Sequence, residues 1–283
     1  MISVAEVRDY SESFILNADI WDGFPDVSGR SVFVKPNLVT PPTFWDTQSI
    51  THPSVVAAVL SRLRDAGARE IVVGCCGFKG QWERTCELSG YSEMVARYDA
   101  KLVCVQDGEN YHKYTMVRFD KKGEYLSLFG TKVSDFFLSA DVVINLPKMK
   151  VHNMAGITGA IKNLMGVISP KGGMHPGGAE TVLHKRLRDL YKLLRDRVHW
   201  TLMDGIVGAE FAEQYGVPRE AGLLISGTDM FQVDWAAAYY MGFPPAGISY
   251  LRYIRDAGLS TPPENLPAIP PVFFERPLRW RNV

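Results

Sequence analysis

The chain has 283 residues, of which 46% are hydrophobic and 22% charged, a composition that excludes collagen-like, low-complexity and disordered proteins. Lysine plus arginine and aspartate plus glutamate both total 31, so the formal net charge is zero and no global basic field can hold nucleic acid or an anionic membrane. Any anion-binding site must therefore be local.

The N-terminal residues carry acidic side chains early and have no basic segment followed by an apolar core, so they do not read as a signal peptide. No apolar stretch approaches the ~18 residues needed to span a bilayer. We therefore expect a cytoplasmic protein that has neither nucleic acid nor a membrane as a partner.

Strands and helices alternate along most of the chain, which predicts an α/β fold with a mostly parallel sheet flanked by helices. Pro53 in the first turn and Gly67 at the end mark one helix clearly. The elements predicted over the first half are a strand at 30–36, a helix from Pro53 to Gly67, a strand at 69–77, a helix that begins near Trp82 or Glu83, and a strand at 101–106.

The second half continues this alternation and ends in a Pro-rich tail. Its predicted elements are a hairpin over 114–130 that turns at Lys121 to Gly123, a core strand over 140–148, an amphipathic helix over 184–197, strands over 198–208 and 221–227, and a helix over 229–242 capped by Asp229. We expect an α/β catalytic domain over 1–245 and a smaller C-terminal portion over 246–283, comprising a helix and an extended arm.

Motifs for common cofactors are missing from the sequence. The four cysteines, at 75, 76, 86 and 104, have no pair with the two-residue gap of zinc, iron–sulfur or dithiol sites, which favours buried thiols. Neither the spacing GxxxxGK[ST] nor a GxGxxG after a strand occurs, so nucleotide binding has little support. We predict no cofactor and no metal.

A cationic segment carries the main functional signal. Residues 142–179 include no acidic side chain but contain Lys148, Lys150, Lys162 and Lys171 with His152 and His175. The core strand delivers two of these lysines and a histidine to its carboxyl end, where open α/β sheets bind ligands. Glycines allow close backbone approach, and a helix capped by Thr158 would offer N–H groups to a carboxylate or phosphate. The alternative is that the lysines are solvated and the glycines only form turns.

Further candidates lie at neighbouring strand ends. Asp204 follows a strand and suits either an acid or base or a structural ion pair, whereas a structural role is favoured for Asp234. The predicted catalytic residues are Lys162, His152, His175 and Asp204. The predicted substrate-binding residues are Lys35, Asn37, Phe78, Trp82, Arg84, Lys148, Lys150, Asn163 and Lys171.

At these residues the sequence resembles the family known as domain of unknown function 362. The shared segments are KPNL, THP, GCCGF, DVVINLPKMKVH, GAIKNLMG, KGGMH, LMDGIVG and SGTDMFQVDWAA, covering roughly residues 30–245. Many members carry ferredoxin-like cysteine clusters, which this chain lacks. The chain is more faintly similar to the lactate racemase family, a similarity that implies cofactor or acid–base work for His152 and Lys162 without extending to the nickel cofactor.

Three functions are open at this stage. The first is a metal-independent biosynthetic enzyme that binds a small anion in a Lys/His-lined cleft and carries out acid–base isomerisation, cyclisation or elimination. The second is an accessory redox or metal-binding protein that partners a ferredoxin-like system. The third is a noncatalytic anion-binding module whose Pro-rich arm mediates self-association as a homodimer.

Overall fold

A computed structural model describes residues 2–39, 41, 48–76, 81–106, 114–116, 126–128, 130–169 and 180–277. Within these residues one large sheet has nine strands, and three short strands form a separate antiparallel sheet. The large sheet consists of β1 (Ile2–Glu6), β2 (Ser31–Pro36), β3 (Glu70–Cys75), β4 (Lys101–Cys104), β7 (Val142–Leu146), β8 (Lys148–His152), β9 (Gly156–Thr158), β11 (Trp200–Glu210) and β12 (Val217–Gly227). The small sheet consists of β5 (Tyr114–Met116), β6 (Lys132–Ser134) and β10 (Ile168–Ser169).

The described ranges contain nine α-helices. They are α1 (Glu12–Asn17), α2 (Pro53–Asp65), α3 (Trp82–Leu88), α4 (Tyr91–Arg97), α5 (Asp135–Ser139), α6 (Ala160–Asn163), α7 (Glu180–Leu194), α8 (Met230–Tyr240) and α9 (Ser249–Asp256). The predicted N-terminal cap of α8 is confirmed, because the Asp229 carboxylate accepts the Phe231 N–H.

Six strands of the large sheet have parallel pairing: five lie in the order β4-β3-β2-β7-β11, and the sixth, β8, pairs with β11. β12 and then β1 extend it in antiparallel orientation. β8 follows β7 after Pro147, runs beside β11 and returns through β9. The predicted α/β fold with a mostly parallel sheet flanked by helices is confirmed, and the carboxyl ends of β2, β3 and β7 share one edge.

Two apolar layers cover the two faces of the sheet. Val32 and Val34 of β2 belong to the layer that includes Val55 of α2, whereas Phe33 between them belongs to the layer that includes Phe231 of α8. This alternation is the period of two expected for a strand buried on both faces. The sheet is therefore the middle of three layers, and only its edges are available for a site.

The predicted hairpin over 114–130 is wrong in its pairing. β5 pairs with β6 rather than with the residues around Leu128. Leu126–Leu128 instead forms a single 3-10 turn, since this turn buries the Leu128 side chain in the apolar layer next to α7. The predicted turn at Lys121 to Gly123 lies outside the described residues.

The C-terminal arm packs on its own chain as far as it is described. The Val272 and Phe274 N–H groups donate to the carbonyl oxygens of Tyr240 and Met241 at 2.8 and 3.0 Å, and the Tyr240 hydroxyl donates to the Pro267 carbonyl at 2.9 Å. Phe274 is 5% exposed and joins the apolar layer of α8. The surface that this part of the arm covers thus belongs to the same molecule.

Candidate functional site

Five polar side chains meet in the interior at the carboxyl ends of β2 and β7. Each is at most 4% exposed: Lys35, Asn37, Asn145, Lys150 and Asn163. The parallel pairing of the two strands brings Lys35 into register with Asn145, while α6 brings Asn163 over them. We call these five residues the Lys/Asn network.

Asn163 is the centre of this network. Its Nδ2 donates to the Asn145 Oδ1 at 2.8 Å and to the Lys35 carbonyl at 3.0 Å. Its Oδ1 accepts from the Asn37 Nδ2 at 3.3 Å and from the Lys35 Nζ at 3.4 Å. A single side-chain amide therefore connects two strand ends, so replacing it would leave several buried polar atoms without partners.

The Lys35 ammonium group is fully buried. Its other partners are the Pro36 carbonyl at 2.7 Å and the Cys75 sulfur at 3.1 Å. A Cβ atom built on Gly166 would lie 2.7 Å from the Lys35 Nζ, so only glycine lets the turn after α6 pack this closely. No carboxylate among the described residues forms an ion pair with Lys35, which leaves the ammonium with uncharged partners and a sulfur.

Lys150 holds the segment between β2 and α2 against the network. Its Nζ donates to the Ser49 carbonyl at 2.6 Å and to the Asn37 Oδ1 at 3.4 Å. In the same segment the Thr51 N–H donates to the Asn37 carbonyl and the Thr51 hydroxyl donates to the Leu146 carbonyl, at 2.8 and 2.7 Å. These contacts fix the backbone of residues 49–51 beside the two lysines.

A second polar group is a buried ion pair. The Lys148 Nζ lies 2.7 Å from the Asp204 Oδ2, and both side chains are fully buried. The same oxygen accepts the His52 backbone N–H at 2.8 Å, and the Asp204 Oδ1 accepts the Tyr10 hydroxyl at 2.9 Å. Burial and the Asp204 carboxylate raise the pKa of Tyr10 well above its ordinary value, so this hydroxyl remains a donor. With three donors on it, the Asp204 carboxylate is suited to hold neighbouring groups in place.

His52 occupies the N-cap position of α2. Its Nδ1 accepts the Ser54 N–H at 3.2 Å, and its ring stacks on Tyr10 with 3.7 Å between ring centroids. Burial lowers the pKa of His52 to about 4, with the Asp204 carboxylate opposing and the Lys148 ammonium reinforcing this change. The ring is therefore neutral at physiological pH.

The N-terminus of α6 is occupied by a carboxylate of the chain itself. Asp234 accepts the N–H groups of Ala160 and Ile161, and the Tyr250 hydroxyl donates to it at 3.0 Å. Thr158 was predicted as the cap, but its hydroxyl has no hydrogen-bond partner in the described part of the chain. That prediction is wrong because Asp234 packs where Gly159 lacks a side chain, and the helix offers no open N-terminus to an outside anion.

Comparison with known proteins places the chain in a family. A family model described as a domain of unknown function (DUF362) matches residues 32–239, close to the span of the resemblance in the sequence. The chain belongs to this family. It is also 29% identical over 237 residues to a thylakoid-associated protein of Synechocystis sp., an alignment that covers 82% of this chain and 69% of the relative. No solved structure matches the chain significantly.

The other residues predicted for the site of this DUF362 chain are not members of the Lys/Asn network. His152 ends β8, is 4% exposed, and accepts the Met154 and Ala155 N–H groups at its Nδ1, both at 3.1 Å. Lys162 lies in the last turn of α6, next to Asn163 in the chain, and is partly exposed. His175, Lys171 and Phe78 lie outside the described residues.

The two predicted cleft residues of α3 occupy different surroundings. Trp82 is 8% exposed and lines a cleft of about 410 Å³ together with Glu83 and Glu87, whose carboxylates do not suit an anion. Arg84 is exposed on the same helix. Among the described residues no hydrogen bond or ion pair joins Trp82 or Arg84 to the Lys/Asn network, and the convergence of Lys35, Asn37, Lys150 and Asn163 does not depend on them.

Three residues of these polar groups are not among the site residues predicted from the sequence. Asn145 sits in the core strand sequence INLPK, where an asparagine inside a fully buried strand was an available signal. Thr51 opens the shared segment THP, and Tyr10 has no local pattern that singles it out. Two further observations concern the whole described part: it contains no cluster of three or more His, Cys, Asp or Glu side chains arranged to hold a metal ion, and none of its helices is long and apolar enough to cross a membrane.

Proposed function

We propose that this protein is an enzyme that binds a small carboxylate or phosphate beside the Lys/Asn network and transforms it by acid–base chemistry without a metal. Isomerisation, cyclisation and elimination are the reactions that such a set of groups supports, because each moves protons and develops charge on oxygen. The substrate-binding residues we assign are Lys35, Asn37, Lys150 and Asn163.

The observation that carries this proposal is the burial of the Lys35 ammonium without a carboxylate partner in the described residues. A buried charge is costly unless an opposite charge or strong hydrogen bonds compensate it. Lys148, fully buried as well, has Asp204 as an internal counterion. The three donors of the Lys35 ammonium already have partners, so a bound anion would compensate its charge from beside the network rather than through a direct hydrogen bond.

The remaining groups divide into proton carriers and positioning residues. The Nδ1 of His152 accepts two backbone N–H groups, so the proton of its neutral form is on Nε2, from which it can be donated. Lys162 is the partly exposed amine next to the network and is our candidate base. We assign Lys148 and Asp204 to positioning, because together they hold Tyr10 and the backbone of His52.

Lys35→Met is expected to weaken anion binding by at least about tenfold, because it removes the buried positive charge beside the anion. Binding of inorganic phosphate and of malonate to the full chain would be measured by calorimetry, with circular dichroism to confirm folding. Lys101→Met is the matched control, since Lys101 is exposed and pairs with Glu70. Equal affinity in the wild type and the Lys35 variant would contradict the proposal, and native mass spectrometry of the wild type would identify a co-purified anion even if the variant failed to fold.

Lys162→Met is expected to abolish substrate proton exchange while folding survives. The wild type would be incubated in D2O with a panel of 2-hydroxy acids, 2-oxo acids and phosphate monoesters, and loss of C–H signals would be followed by proton NMR. Exchange should fall by two orders of magnitude or more, as is usual for a lost general base. Lys185→Met, on the exposed face of α7, is the control. Full exchange by the Lys162 variant would remove this residue from the mechanism.

Localisation and assembly remain proposals. We infer a cytoplasmic enzyme from the sequence, while the name of the thylakoid-associated relative supports attachment to a membrane surface as the alternative. Fractionation with and without a salt wash separates the two. A homodimer is the proposed assembly, to be checked by light scattering of the full chain.

A further inference from the structure

His52 is held in one tautomer by the backbone of its own helix. Its Nδ1 accepts the Ser54 N–H, so in the neutral ring the proton resides on Nε2. Histidine is not among the preferred N-cap residues, since serine, threonine, aspartate and asparagine perform this role with a shorter side chain. The cap alone therefore does not explain why an imidazole occupies this position.

The Nε2 group of this ring is available. No hydrogen bond joins it to any described residue, and the side chain is only partly buried. The other imidazole with a comparably low pKa, His184, is 4% exposed, accepts the Tyr250 N–H at Nδ1, and also hydrogen-bonds to the Met154 backbone. His184 thus has partners for its polar atoms, whereas His52 keeps one donor without a partner in the described part of the chain.

The groups around His52 fix the ring in place. Tyr10, which precedes α1, stacks on it; Asp204 of β11 accepts its backbone N–H; and Lys148 of β8 lies close enough to disfavour a charged ring. His52 directly follows residues 49–51 in the chain. The backbone of this segment is held by a hydrogen bond from Lys150 to residue 49 and by one from residue 51 to Asn37. These contacts therefore hold His52 in a fixed position at the same edge of the sheet as the Lys/Asn network.

We propose that His52 is a further substrate-contacting residue of this site, whose neutral Nε2–H donates a hydrogen bond to an anionic oxygen of the substrate. This inference rests on the proposed function and deepens it. A neutral imidazole is a poor base in this role, because the ring stays unprotonated through the physiological range. It acts as an electrophile that stabilises negative charge on a carboxylate, phosphate or enolate oxygen. Its contribution should consequently be constant between pH 5.5 and 8.

The test uses His52→Asn, which retains a preferred N-cap and removes the Nε2 donor. The full chain, labelled with 15N-histidine, would be titrated with inorganic phosphate and with malonate. We expect the His52 resonances to report an Nε2–H tautomer from pH 5.5 to 8 and to shift on addition of the probe. The variant should fold normally and bind the probes at least about tenfold more weakly, as for one hydrogen bond to a charged oxygen. His184→Asn is the control and should leave binding unchanged.

The outcomes separate this inference from the proposed function. If His52→Asn binds both probes as tightly as the wild type while Lys35→Met does not, His52 is only a helix cap and the anion site stands. A proton on Nδ1, or titration of the ring near its ordinary pKa of 6.5, would also overturn the assignment. If neither probe binds the wild type, the anion site and the role of His52 fall together.

Discussion

Asp204→Ala is expected to lower the free energy of unfolding by about 3 to 5 kcal/mol, the cost typical of leaving one partner of a buried ion pair without the other. The substitution would leave the fully buried Lys148 ammonium without its counterion. It would also remove the acceptor of the Tyr10 hydroxyl and of the His52 N–H. Urea unfolding followed by circular dichroism measures this loss. It arises at a site that the sequence alone presents as either a base or an ion pair.

The chain contains a matched control for this experiment. Lys101 and Glu70 form an ion pair with the same 2.7 Å separation of nitrogen and oxygen, but at the surface. Because solvent screens exposed pairs, Glu70→Ala should cost much less than Asp204→Ala. Combining Asp204→Ala with Lys148→Met removes both charges, and should cost less than the sum of the two single variants. Equal losses of unfolding free energy for Glu70→Ala and Asp204→Ala would show that burial does not increase the contribution of the ion pair to stability.

The sequence predicts which edge of the sheet carries most of the Lys/Asn network, because the rule that governs this placement is local. A lysine or asparagine at the carboxyl end of a parallel strand lies at one edge of the sheet, so Lys35, Asn37 and Lys150 could be placed at this edge. That they meet depends on β2 lying beside β7. Asn163 followed from its place on a helix beside these strand ends. The predicted strands at 30–36 and 140–148 supplied this framework.

The different partners of Lys148 and Lys150 could not be predicted in the same way. Lys148 and Lys150 are two residues apart, and the sequence assigns both to an anion. Their surroundings differ because β11 pairs with β8 so that Asp204 lies in register with Lys148. That register depends on the order of strands in the finished sheet, which strand patterns do not reveal. Tyr10 was missed for the same reason, since it reaches Asp204 only after β1 has paired with β12.

The helix N-terminus at α6 shows how a local rule fails. The segment from Thr158 to Asn163 has the glycine and the small residues expected of an anion-binding turn. The group that occupies it is the Asp234 carboxyl, far away in the chain on α8. A buried aspartate in the middle of an otherwise apolar helix was the available signal, because such a side chain needs donors nearby.

Asp234→Ala should accordingly lower the free energy of unfolding by about 2 to 4 kcal/mol, because it leaves two backbone N–H groups and the Tyr250 hydroxyl buried without their acceptor. Asp229→Ala is the control on the same helix. Asp229 caps α8 and also accepts the Tyr191 and Ser260 hydroxyls, but it is only partly buried, so water can replace it and a smaller loss of about 1 to 2 kcal/mol is expected. Comparable losses for the two variants in urea unfolding would contradict the importance assigned to Asp234.

The pH dependence of Asp234→Asn gives an independent check on this carboxyl group. Burial raises the pKa of Asp234 to about 7 from its ordinary 3.8, although the hydrogen bonds from Ala160, Ile161 and Tyr250 oppose the change. Between these values the folded protein binds a proton that the unfolded chain does not bind. The contribution of this group to stability is therefore complete below about pH 4 and declines as the pH rises to about 7. The difference in unfolding free energy between the wild type and the asparagine variant should be smaller at pH 8 than at pH 5, because all other titrating groups are common to both; a constant difference would mean that Asp234 is ionised throughout.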